Sequence, residues 1–347
     1  MRKAEYGYTM PAEWERHSSV WLAWPHDKTT FHEMGKVEKV YVEIIDAIHE
    51  SENVNLFVKD KTMKWKVMGL LDEKNINLEK IHFTVFNYAD VWFRDYGPIF
   101  VLDRTRKKIA MVHWVFNAWG EKYERLMKDA IIPAVINQKM HLHCFKPGMV
   151  LEGGSIDVNG KGTLLTTEQC LLNKNRNPNL SRKEIEQSLK DYLGVSNIIW
   201  LKKGIAGDDT DGHVDDIARF VSPNTVLCVY EEDKTDENFP VLKENYEILC
   251  NSLEQDGNPL TIVKLPMPDF VGNENRLPAS YANFYIGNRV VLIPVFGHEN
   301  DKPALSIIQK AFPDRKVTGI NCTDLVYGLG AIHCITQQQP ACDAENA

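Results

Sequence analysis

Three short stretches of this 347-residue sequence concentrate side chains able to do chemistry: Trp92-Phe93-Arg94-Asp95-Tyr96-Gly97-Pro98, Asp208-Asp209-Thr210-Asp211-Gly212-His213-Val214-Asp215-Asp216 and Gly328-Leu329-Gly330-Ala331-Ile332-His333-Cys334-Ile335-Thr336. The second is not a helix-loop-helix calcium site. Its glycine would have to be the sixth residue of the loop, which puts Gly207 first and Ala218 twelfth, and neither supplies a carboxylate. If residues 213–215 are extended, His213 and Asp215 share one face and Asp216 takes the other. Such a pair suits zinc or acid/base chemistry, but zinc lacks a second clear His/Cys pair. A solvated acidic loop fits the same spacing equally well. In the third stretch, a lone cysteine among isoleucines is by default a buried, inert thiol. Gly328 and Gly330 argue for a close backbone approach, as active-site loops require. A nucleophilic Cys334 needs a base. On a strand, the adjacent His333 would face away from it, so the distant His213 is the better partner.

These residues must be carried by regular elements, and the chain alternates them. Apolar runs flank turn pairs at 155–158 and 162–166, at 217–221 and 226–230, at 283–286 and 290–293, and at 99–102 and 109–112. That is the hairpin pattern. Helical spacing follows at 182–192, where Ser181 and Glu184 form a potential capping box, and again at 243–253 and 304–311. Short strands are expected afterwards at 197–201 and 260–264. The order hairpin, helix, strand recurs about every 55–70 residues, and four or five such units fit the length. A closed ring of ββαβ modules and an open mixed α/β sheet both satisfy this pattern.

Composition narrows the class. The chain is 44% hydrophobic and 25% charged, ordinary for a globular protein, and long enough to bury a core without staples. A net charge of −8 argues against non-specific nucleic-acid binding and mildly favours a cationic small molecule. Seven cysteines, an odd number without a C-x-x-C spacing, do not form a disulfide framework. The first residues lack the apolar stretch of a secretory signal, and no run suits a membrane span. A reduced, cytoplasmic compartment is expected.

Taken in order, Met10-Pro11-Ala12-Glu13-Trp14-Glu15, Trp24-Pro25, the 92–98 stretch, Glu152-Gly153-Gly154, residues 211–215 and Ile332-His333-Cys334-Ile335-Thr336-Gln337-Gln338 resemble the agmatine deiminase and bacterial peptidylarginine deiminase family of the guanidine-modifying superfamily. The match runs from residue 10 to about 340 and is specific only as a set. It implies a single catalytic domain over 1–347 with the pentein fold, five ββαβ units about a pseudo-fivefold axis. It also implies Cys334 as nucleophile, His213 as general acid/base and Asp95 and Asp215 as the carboxylates holding the guanidinium. Trp92 and Glu152 would shape the pocket or hold the histidine, and Asp209 would receive the far amine.

The implied reaction converts agmatine to N-carbamoylputrescine and ammonia, a step of putrescine and polyamine metabolism. It proceeds through a covalent thiouronium, without metal or organic cofactor. A homo-oligomer is compatible with the family. Asp208, Asp209 and Asp211 favour the dication agmatine over arginine electrostatically, whereas Arg94 and Arg219 are the residues that would meet a carboxylate. Arginine or peptidylarginine deimination, amidino transfer to an amine and a non-catalytic pentein binding module are the alternatives. Leu329 and Ala331 depart from the glycine and asparagine run usual before Ile-His-Cys. One tension is physical: two nearby carboxylates raise the pKa of the thiol that must attack.

Overall fold

The computed structural model describes residues 7–342 apart from 104, 106, 270 and 273. Its strands form five small mixed sheets. Three of them repeat one plan. Asp157–Val158 pairs antiparallel with Thr163–Thr167, the helix Arg182–Leu193 crosses over, and Asn197–Leu201 returns parallel. The strands Ala218–Ser222, Thr225–Tyr230 and Thr261–Pro266 do the same around the helix Phe239–Cys250. So do Tyr285–Ile286, Val290–Val295 and Lys316–Asn321 around Asp301–Ala311. A fourth sheet pairs Ile99–Asp103, Ile109–Val112 and His143–Phe145 around Ile132–Met140, and adds Tyr8–Thr9 at its edge.

Local chemistry sets these boundaries. Ser181 and Glu184 close a reciprocal capping box, and Gly194, at φ 69°, ends that helix in the left-handed conformation. The helix expected at 243–253 instead runs Phe239–Cys250, because Pro240 in the first turn starts it earlier and leaves Leu253 outside it. No helix among the described residues is long and apolar enough to cross a membrane.

The fifth sheet joins the chain ends. Gln337–Pro340 pairs antiparallel with His17–Ala23, which continues parallel to Asn53–Val58 and then Ile81–Val85. Its two hairpin halves lie at opposite ends of the sequence, so no turn signal announces them. This pairing brings Glu13 beneath the 332–335 segment. There Glu13 Oε2 receives Arg219 Nη2 at 2.7 Å and lies 2.8 Å from His333 Nε2, while Oε1 receives the Ile286 amide at 2.8 Å. Arg219, fully buried, also reaches Asp157 at 2.6 Å and the carbonyls of Ala282 and Phe284. Arg94 donates to Gln338 at 2.7 Å and stands 3.6 Å from Glu13. Both arginines singled out in the sequence therefore hold segments together and do not line the cavity described below. Truncating one partner of a buried ion pair leaves the others uncompensated. Arg219→Met is accordingly expected to lower unfolding free energy by about 3–5 kcal/mol, read by denaturant titration; a loss under about 1 kcal/mol would refute this tie.

Candidate active site

One position recurs in every sheet: the residues just before its first antiparallel strand. Short helical turns at Phe93–Tyr96, Gly153–Ser155, Val214–Asp216 and Ile332–Ile335 feed the strands beginning at Ile99, Asp157, Ala218 and Gln337, and Asn283 precedes Tyr285–Ile286. These turns touch in succession. The 332–335 turn packs on 93–96, that on 153–155, and that on 214–216. Asn283 bridges the last gap, donating to Asp216 Oδ1 at 2.9 Å and accepting the His333 amide at 2.9 Å. Asp95, Glu152, His213, Asp215, Asn283 and Cys334 are thus gathered from across the sequence.

Gly154 marks their focus. A Cβ added there would stand 2.6 Å from His213 Nδ1, 2.9 Å from Asp95 Oδ1 and 3.0 Å from Asp215 Oδ2. Its amide donates to Asp95 Oδ1 at 3.1 Å, so the backbone both makes room for the carboxylate and aims it. Trp119 Nε1 fixes the other oxygen at 2.9 Å. Cys334 Sγ lies 3.9 Å from Asp215 Oδ2 and receives Asn283 Nδ2 at 3.1 Å. His213 is buried, and neither ring nitrogen has a hydrogen-bond partner among the described residues; its Nδ1 is 3.7 Å from Asp95 Oδ1, too long to count.

Burial sets the protonation states. It pushes the Cys334 thiol well above its ordinary value, and the charges of Asp215, Asp216 and Asp95 add to this. Burial and the charges of Asp215 and Glu152 likewise drive Asp95 well above the usual carboxylate range. His213 is held at about 3, because burial disfavours its cation more than Asp215 stabilises it. Burial also works against Asp215, yet the hydrogen bond and charge of His333, with help from His213 and Arg219, hold it below the ordinary value. At neutral pH this is a neutral thiol and a neutral imidazole beside Asp215, held ionised, and Asp95, whose ionised form has no cation to stabilise it.

The cavity above them is lined by Cys334, Asp95, Trp92 and Trp119, and further out by Asp90, Asp209, Tyr123, Arg125, Tyr327 and Leu329. Trp92 packs closely against the glycine loop: a Cβ at Gly330 would sit 2.4 Å from its ring and 3.0 Å from Cys334 Cβ. Leu329 adopts φ 70° beside it, a conformation that costs a leucine of the order of 1–2 kcal/mol and that glycine takes freely.

Of the three acids expected around the pocket, only Asp209 lines it, and Tyr123 donates to it at 2.6 Å. Asp208 instead holds the amides of Thr210 and Gly212, and Asp211 pairs with Arg176 and Asn175. Arg125, which also lines the cavity, hydrogen-bonds Asp27.

Glu152 does not reach the cavity. Its Oε1 takes Arg176 Nε at 2.6 Å, and it stands with Cys170 and His213 such that a ligand atom from each lies within 4.8 Å of the others. Three donors with a guanidinium already on one of them make a poor zinc site.

Two expectations of local geometry change. Residues 214–216 and 332–335 are helical turns, not strands. His333 consequently does not face away from the site: its Nδ1 lies 2.6 Å from Asp215 Oδ2. Sequence reasoning passed over Asn283 and Trp119. Asn283 left a signal, a polar residue heading an apolar strand. Trp119 left none, since a run of positive φ through residues 118–121 aims it.

The model of the Porphyromonas-type peptidyl-arginine deiminase family matches residues 9–340. This chain belongs to that family. A relative from Legionella pneumophila (strain Paris) is 40% identical over 342 residues, covering 97% of this chain and 96% of its own. The agmatine deiminase of Medicago truncatula is 37% identical over 371 residues, with 97% of each chain covered. The solved agmatine deiminase of Enterococcus faecalis superposes with a TM-score of 0.88 at 35% identity over 96% of both chains. The five sheets match that structure as a mixed α/β fold.

The crowding at Gly154 has a direct consequence. Gly154→Ala is expected to leave the protein folded, by circular dichroism, yet to cut kcat/KM for any guanidine that the wild type hydrolyses about 100-fold or more. An alanine variant with near wild-type kinetics would show that the three groups need not converge there.

Proposed function

We propose that this chain is an agmatine deiminase, hydrolysing the guanidinium of agmatine to N-carbamoylputrescine and ammonia. The observation that carries the reading is the clustering of a thiol, an unpartnered imidazole and two buried carboxylates around Gly154, with the thiol and Asp95 opening onto a cavity that a further acid, Asp209, also lines. Full-length similarity to agmatine deiminases supports it. The succession of contacting turns supports a single pentein domain over 1–347, with five ββαβ units about a pseudo-fivefold axis. Seven free thiols favour a reduced, cytoplasmic setting.

In this reading Asp95 and Asp215 orient the planar guanidinium through paired charge-assisted bonds, with Trp92 and Trp119 enclosing it. Cys334 attacks the central carbon. Its proton passes by way of His213 to the departing nitrogen, which leaves as ammonia. His213, neutral again, takes a proton from water as the hydroxide adds to the thiouronium. The C–S bond then breaks, the sulfur regains a proton, and the ureido product departs. Glu152, bonded to Arg176, stands beside His213 without a hydrogen bond to it. The arriving cation relieves the repulsion among the carboxylates, and this lowers the thiol pKa when the nucleophile is needed. Agmatine is favoured over arginine because Arg94 and Arg219 are consumed by buried acids and Arg125 is hydrogen-bonded to Asp27.

Ureido-product formation from agmatine, arginine and a C-terminal-arginine peptide tests the substrate; comparable turnover of all three would refute the preference. Cys334→Ala is expected to lose turnover and keep agmatine binding, whereas in a pure binding module it would change neither. Titrating thiolate ultraviolet absorbance should show the Cys334 thiol ionising at lower pH with a non-reactive amidine bound than without it. An equal or higher transition in the complex would contradict substrate-assisted ionisation.

A further inference from the structure

His333 has no part in the chemistry above, yet both of its ring nitrogens face carboxylates. Nδ1 lies 2.6 Å from Asp215 Oδ2 and Nε2 lies 2.8 Å from Glu13 Oε2. An ionised carboxylate can only accept, so both contacts are hydrogen bonds only if both nitrogens donate, as in an imidazolium. The ring is buried, as are both acids. Its own backbone is anchored: the His333 amide donates to Asn283 Oδ1 at 2.9 Å, and its carbonyl accepts from Arg94 Nε at 3.3 Å. The residues around it are Glu13 from the N-terminal segment, Asp215 from the 214–216 turn, Arg94 from the 93–96 turn, Cys334 next in sequence and Arg219, which shares Glu13 Oε2.

We propose that His333 is a positioning residue, a two-donor imidazolium that clamps Asp215 to Glu13 and so fixes the guanidinium-facing carboxylate in place and in charge. A neutral ring would present a lone pair to one of the two carboxylates. Asp215 would then lose its orienting donor or take up a proton itself, and either change spoils a carboxylate meant to grip a cation. Because Arg219 and Arg94 also converge on Glu13, that acid is anchored to the fold, and the clamp references Asp215 to this anchor. The kinetic part of this inference rests on the proposed role of Asp215 toward a guanidinium; the protonation part does not.

Neutron diffraction from the deuterated wild-type protein at neutral pH reads the protons directly. Deuterium on both Nδ1 and Nε2 with none on Asp215 or Glu13 is the expected result. A singly deuterated ring, or a deuterium on either acid, overturns the clamp whether or not the enzyme acts on agmatine. His333→Gln supplies the functional arm, since the amide can donate to one carboxylate but must turn an oxygen to the other. Provided its circular dichroism matches wild type, kcat/KM on the guanidine that wild type hydrolyses is expected to fall about 10–100-fold, with KM for that substrate raised. A purely structural histidine would lower the melting temperature and leave KM unchanged, and that outcome also refutes the proposal. If Gln does not fold, the proton map still decides. If wild type hydrolyses no guanidine, the functional reading fails while the map remains informative.

Discussion

Glu13 is the point at which the protein is tied together. One carboxylate receives a guanidinium from the strand Ala218–Ser222, faces an imidazole from the C-terminal segment, stands near a second guanidinium at 3.6 Å and accepts an amide from the strand Tyr285–Ile286. Burial alone would push this acid up, but Arg219, His333 and Arg94 together hold it well below the ordinary carboxylate range. Through Arg219 the network continues to Asp157 on the strand Asp157–Val158. Five small sheets, none large enough to stand alone, thereby meet at one charge cluster. A buried cluster of this kind adds little net stability over a hydrophobic one, because desolvation offsets attraction. What it supplies is direction: ion pairs with fixed hydrogen-bond geometry accept only one arrangement of the turns that carry the site.

Directly above that anchor, the site itself is left electrostatically unfinished. Asp95 in the cavity wall and Asp216, which Asn283 ties to the same cluster, are both raised well above the usual range by burial, and the arginines nearby are engaged elsewhere. A cation with several donors completes such a cavity, whereas an anion or a neutral amide does not. This reconciles a thiol that is reluctant to ionise at rest with its use as a nucleophile. In the proposed mechanism, the same carboxylates that suppress the thiolate in the free protein attract the group whose positive charge releases it, so that specificity and activation are one electrostatic event.

Much of the architecture was legible locally. The hairpins at 155–166, 217–230 and 283–293, the capped helix at 182–193 and the strand at 197–201 follow from alternation, turn pairs and capping residues, all of which act over a few positions. The fifth sheet was not legible, because its hairpin joins residues 17–23 to residues 337–340, and no local signal encodes a pairing across the whole chain. The extended geometry supposed for residues 213–215 and around His333 did not hold for a related reason. There the chain turns sharply to enter the next strand, and a helical turn is what tertiary crowding permits.

Residue types and order along the chain determined the class of chemistry: a thiol after two glycines, a histidine flanked by acids, an aspartate beside a tryptophan. They could not determine which of these groups meet, at what distance and in which protonation state. That was decided by folding, because burial and proximity shift a pKa away from the value that residue identity alone gives. Gly154 shows it most plainly. In sequence it is one of two adjacent glycines without a role; in space, its missing side chain is the opening around which His213, Asp95 and Asp215 assemble.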